Sequence, residues 1–158
     1  MKKIAILCLV MVLALSLFAC KKDDEPTQLC TSDFTILLPE GYASTEDDFD
    51  EDQVAYFYKD DNSIDFDVYQ WEKGDEYTLE SEANAYAEAY GTTAEAVTVN
   101  GIKGYKYVSS EEYEGNTYTV VNYMFEDDTY IVELCFWTIG TAEEYKAADD
   151  IINTLKKN

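Results

Sequence analysis

Three turn signals between Val97 and Trp137 constrain the fold of this chain more than any other feature. Asn100-Gly101, Glu114-Gly115-Asn116 and Glu126-Asp127-Asp128-Thr129 separate runs rich in β-branched and aromatic residues: Val97–Val99, Tyr105–Val108, Tyr118–Phe125 and Tyr130–Trp137. Short connections of this composition return each strand beside the one before it, so an antiparallel meander is expected. The last strand carries Tyr130, Val132, Leu134 and Phe136 on one parity and Ile131, Cys135 and Trp137 on the other. A strand that is apolar on both sides needs cover on both faces of its sheet.

Upstream, Phe34–Leu38 is a short apolar run closed by Pro39-Glu40-Gly41, and Val54–Tyr58 and Ile64–Trp71 flank a turn at Lys59–Ser63. In the second arm of that hairpin, Ile64, Phe66 and Val68 alternate with Asp65 and Asp67, the period of a half-buried strand. Two helices supply cover. Leu79, Ala83, Tyr86 and Tyr90 recur at helical spacing between an N-cap at Thr78 and a left-handed stop at Gly91. Thr141-Ala142-Glu143-Glu144 is a capping box, followed by the stripe Tyr145, Ala148, Ile152 and Leu155, with Lys156 and Lys157 at the negative end of the helix dipole. Strand, hairpin, helix, meander, helix is the order of an α+β fold, an antiparallel sheet of about six or seven strands with helices packed on it.

The first twenty residues have a different character. Lys2 and Lys3 precede an uncharged apolar run from Ile4 to Phe18, the layout of a secretory signal peptide and shorter than a membrane span. The junction Leu17-Phe18-Ala19-Cys20, followed at once by Lys21-Lys22-Asp23-Asp24, resembles a bacterial lipobox, although Phe18 stands where a small residue is usual. That resemblance implies removal of residues 1–19 and acylation of Cys20. Residues 20–32, which contain Pro26 and no periodic apolar pattern, then read as a lipidated tether, and residues 33–158 as a single globular domain. The expected location is extracytoplasmic, with the membrane as a partner through the lipid anchor. Cys30 and Cys135 remain for other chemistry; export permits a disulfide between them, and two separate thiols are the alternative.

Charge narrows the functions open to such a domain. The chain has 33 Asp and Glu against 11 Lys and Arg, no His, and a formal charge of −22. No basic footprint for nucleic acid exists, and the absence of His removes His-based triads and the usual neutral-pH base. No phosphate loop, dinucleotide fingerprint, H-E-x-x-H or G-x-S-x-G occurs, so neither a cofactor nor a catalytic or metal-ligating set is expected. Glu46–Asp52 places six carboxylates in seven positions, which allows a calcium site, but the EF-hand spacing is missing and a hydrated loop is the plainer reading. Paired carboxylates would also allow a glycoside hydrolase. The 14 tyrosines form either an aromatic recognition face or ordinary strand packing. Tyr69 and Trp71 share the parity of Asp65 and Asp67, and on an open face they would suit a cationic or sugar ligand.

FTILLPEGY at Phe34–Tyr42, the aromatic hairpins, Val99-Asn100-Gly101 leading into a tyrosine-rich strand, and a last strand followed by an amphipathic helix are similar to the PsbP-like α/β/α sandwich. That fold is found in extrinsic subunits of photosystem II and in small exported bacterial lipoproteins. The similarity spans about Phe34 to Lys157 and implies the fold; the metal-related role of photosynthetic members does not carry over to a chain without His. The expected function is that of a non-catalytic envelope lipoprotein, a surface binding or accessory domain for an envelope protein or glycan, with a carboxylate-dependent envelope enzyme or a calcium-binding module as alternatives.

Overall fold

In a computed structural model of the protein, the structure describes residues 26–45, 51–59 and 64–158. The order there is β1 (Pro26–Gln28), β2 (Phe34–Leu37), β3 (Ala43–Thr45), β4 (Gln53–Tyr58), β5 (Asp65–Glu72), α1 (Leu79–Ala89), β6 (Glu95–Val99), β7 (Ile102–Tyr113), β8 (Asn116–Glu126), β9 (Tyr130–Thr138), α2 (Ala142–Ile152) and β10 (Lys156–Lys157). The fold is α+β, and every strand pair is antiparallel. A large sheet runs β3-β4-β5-β9-β8-β7-β6, and a small one runs β1-β2-β10.

Turn chemistry sets the meander. Asn100, Gly101, Glu114 and Gly115 have φ of 51°, 84°, 50° and 81°. Both central residues of these two-residue hairpins are left-handed, as a turn matched to strand twist requires. Register follows, with Tyr107 opposite Asn122 and Cys135 opposite both Asn122 and Asp67. Gly104 serves another purpose: a Cβ there would lie 2.5 Å from the Met124 carbonyl oxygen and 2.6 Å from the Phe125 ring, so only glycine fits.

One face of the large sheet is closed. Phe66, Phe125, Leu134 and Phe136 are fully buried there against Phe34, Ile36, Ile151 and Leu155 from β2, α2 and the chain following α2. Phe57, Phe66 and Phe136 stack in series with centroids 4.9 Å apart at each step. The other face is covered by α1, whose Leu79, Ala83 and Ala87 pack on Tyr107, Met124 and Ile131. Thr78 caps α1 as expected, and its box closes on Ser81. The middle of β8 and of β9 is buried on both parities, as expected of strands covered on both faces.

Three expectations need correction. The folded part begins by Pro26, not at residue 33: β1 pairs with β2, and Leu29 is 1% exposed in the core, so residues 26–32 are part of the fold. Helix α2 stops at Ile152, and Lys156 and Lys157 pair with Thr35 and Phe34 as a strand. Thr154 makes that turn: its hydroxyl donates to the Ile151 carbonyl and accepts the Leu37 amide, offering the chain the open edge of β2. Cys30 and Cys135 are free thiols. Cys30 lies in the β1–β2 turn, beside the closed face, while Cys135 points to the α1 face beside Glu133, so the sheet separates them.

Candidate functional site: an aromatic and acidic cleft beside α1

Asp65, Asp67, Tyr69 and Trp71 project from the α1 face of β5 while Phe66 and Val68 enter the closed core. The pairing of β5 with β9 sets Asp67 beside Cys135, Tyr69 beside Glu133 and Trp71 beside Ile131. α1 packs chiefly on β7 and β8 and reaches β5 through the Tyr86–Trp71 stack. A cleft of about 230 Å³ results, with Trp71, Tyr86, Tyr90, Tyr107, Glu133 and Trp137 among its walls. Both residues singled out in the hairpin, Tyr69 and Trp71, line it half-buried.

Polar side chains on this face are buried to an unusual degree. Asp67, Ser109, Asn122 and Glu133 are at most 7% exposed, although isolated acids seldom sit so deep in a sheet. The Tyr107 hydroxyl donates to Glu133 Oε1 at 2.5 Å, and Asn122 donates to Ser109 Oγ at 3.2 Å. Asp67 accepts from Gln53 Nε2 at 2.6 Å and from Trp137 Nε1 at 2.5 Å, one bond on each oxygen.

Electrostatics follow from that depth. Burial raises the Glu133 carboxyl from its ordinary 4.5 to about 7, and the hydrogen bonds from Tyr107 and Cys135 only partly oppose it. Burial first, then the Glu133 charge, drive the Tyr107 phenol and the Cys135 thiol well above their usual ranges. Tyr90 is pushed up to about 12, chiefly by burial and then by Glu111 and Glu133. The cleft therefore contains an acid that exchanges its proton near neutrality, a task for which sequences usually supply His.

The aromatic rings form pairs. Trp71 stacks on Tyr86 at 5.7 Å, Tyr90 on Tyr107 at 6.2 Å, and Tyr118 meets Trp137 edge-on at 5.8 Å. The chain's two tryptophans thus both line this cleft. Among the described residues no three His, Cys, Asp or Glu side chains converge as a metal site requires.

Sequence reasoning missed Glu133 as a site residue, took Cys135 only as a disulfide candidate, and did not separate Tyr107 from the other tyrosines. The signal was present: Glu133 is the lone charge on the parity Ile131, Cys135, Trp137. Tyr86 and Tyr90, expected on the helix's packing stripe, instead form its cleft side, 38% and 48% exposed. Cys20, the leader and residues 46–50 of the acidic run lie outside the described residues; Glu51 and Asp52 are exposed at the cleft's rim. No helix of the described residues is long and apolar enough to cross a membrane.

Known structures share this architecture. A cyanobacterial PsbP, CyanoP from Synechocystis sp. PCC 6803, is similar with a TM-score of 0.63 at 10% identity, over 89% of this chain and 96% of that one. A crystallised protein from Bacteroides thetaiotaomicron is similar with a TM-score of 0.61 at 18% identity, over 87% of this chain; the match spans only 49% of that longer protein. No protein-family model and no curated protein matches the chain. The architecture is PsbP-like, and at these identities the likeness is one of fold.

Proposed function

We propose that the chain is an exported lipoprotein, acylated at Cys20 and held at a bacterial envelope membrane, whose domain binds a ligand in the cleft beside α1 without acting on it chemically. The observation behind this reading is the gathering of buried Glu133 and Asp67 with stacked aromatic pairs around one cleft beside α1. Keeping two acids at that depth costs stability, which a core of equal size would avoid with apolar residues. A cleft with a few convergent polar groups among aromatic walls is the usual form of a ligand site.

Tryptophan emission tests this, because Trp71 and Trp137 both line the cleft. Titration with linear amines, neutral oligosaccharides and Ca²⁺ is expected to give a saturable change with one of the three classes. Emission indifferent to all three would overturn the binding role. The anchor is tested separately with labelled palmitate, where incorporation is expected in the native chain and lost in Cys20→Ala.

One observation favours a second reading, a carboxylate-based hydrolase of glycosides. Glu133, able to hold a proton near pH 7, sits on the strand next to Asp67, and such enzymes pair an acid with a second carboxylate. Against it, both Asp67 oxygens already accept hydrogen bonds, so neither is free of a donor as a nucleophile or general base would be. Turnover of chromogenic glycosides that disappears in Glu133→Gln would favour the enzyme.

A further inference from the structure

The cleft continues beyond α1. A second depression of about 370 Å³, lined by Tyr56, Asp65, Asp67, Tyr113, Tyr118 and Trp137, shares Asp67 and Trp137 with the first. The two depressions adjoin across the Trp137–Asp67 hydrogen bond and together make a groove along the sheet from Trp71 and Tyr86 to Tyr56, with that bonded pair at its middle. Its described lining contains carboxylates and aromatic rings and no basic residue.

The acids on its floor follow the sheet's own repeat. Asp65 and Asp67 are two residues apart on β5, about 7 Å by strand rise. Glu133 faces Tyr69, which sets it diagonally from Asp67, about 7–8 Å between backbones. Glu133, Asp67 and Asp65 thus form a row. Each accepts a hydrogen bond from a neutral aromatic donor: Tyr107 to Glu133, Trp137 to Asp67, Tyr56 to Asp65. Those bonds hold the oxygens in place, and none of the three donors is a cation.

We propose that this groove binds a linear polyamine, a chain of ammonium centres joined by short methylene spacers, with nitrogens over Glu133, Asp67 and Asp65 and methylenes against Trp71, Tyr86 and Trp137. The assignment rests on the cleft being a ligand site, as argued above. Spaced ammonium groups match spaced acids, and aromatic faces attract a cation within about 6 Å of their centroids. A calcium ion instead needs oxygens converging at about 2.3–2.6 Å, whereas these carboxylates are strung along a line. An ammonium beside Glu133 would favour the ionised carboxylate that burial alone opposes, and a neutral sugar would not. The chain's formal charge of −22 also draws polycations toward the domain.

Calorimetric titration of the full chain with spermidine at physiological salt tests the assignment. Saturable binding is expected, weakened at least tenfold in Glu133→Gln and in Asp65→Asn, and unchanged in Glu143→Gln, which removes one exposed charge at the start of α2. Circular dichroism identifies any variant that fails to fold, and two acids at different depths give independent readings. No saturable binding of spermidine, or equal weakening by Glu143→Gln, would overturn the proposal. If a neutral oligosaccharide binds and spermidine does not, the polyamine falls while the cleft remains a ligand site; if neither binds, both fall.

Discussion

Glu133→Gln is expected to raise the melting temperature at pH 8 and to leave it nearly unchanged at pH 4. The folded carboxyl titrates near 7 and its ordinary value is 4.5, because burial disfavours the charged form. Between those values the folded chain holds a proton that the unfolded chain releases. The stability associated with that proton is complete below about pH 4.5 and is lost as pH rises through about 7, a change of about 3 kcal/mol. Gln has no proton to lose, so the variant escapes this penalty. About 2–3 kcal/mol of relative stabilisation is expected at pH 8, after allowance for a poorer acceptor opposite Tyr107. Thermal melts of both chains at the two pH values measure it. Parallel curves at both would mean that Glu133 is already ionised in the folded protein.

Phe66→Ala should cost about 3–5 kcal/mol, the range for emptying an aromatic site in a core that cannot collapse. Phe66 is fully buried between Phe57 and Phe136 and also meets Tyr42, so its loss removes three ring contacts at once. Denaturant titration gives the number, and a loss below about 1 kcal/mol would show that α2 and the small sheet close over the cavity. Tyr86→Ala provides the contrast. That ring is 38% exposed on the cleft side of α1, and its removal should change stability little, about 1 kcal/mol or less, while weakening whatever occupies the cleft.

These contrasts also show how far the sequence can be read. Asn100-Gly101 and Glu114-Gly115 announce their hairpins because almost no other residue pairs accept two left-handed conformations in succession. Thr141 and Glu144 announce α2 through a local reciprocal bond, with the Glu144 carboxylate accepting the Thr141 amide at 2.8 Å. Features set by long-range competition are less legible. Lys156 and Lys157 suit a helix C-terminus, yet the free edge of β2, more than a hundred residues away in sequence, claims them. Pro26–Gln28 has no pattern of its own and becomes a strand only because β2 offers its other edge. The parity of Asp65, Asp67, Tyr69 and Trp71 located one wall of the cleft correctly, since alternation survives any packing. Whether that face was open depended on how much of it α1 covers, and that is a property of tertiary packing. Glu133 could be noticed as a charge among apolar neighbours, but its burial beneath Tyr107 could not.

The indole N–H resonances of Trp71 and Trp137, followed by NMR as spermidine is added to the isotope-labelled chain, test the cleft most directly. Both are expected to move with one common midpoint, and Trp137 the further, because its N–H is bonded to Asp67. Two unmoved indole signals, with shifts confined to α2 and the small sheet, would place the ligand on the opposite face and contradict the cleft as the site.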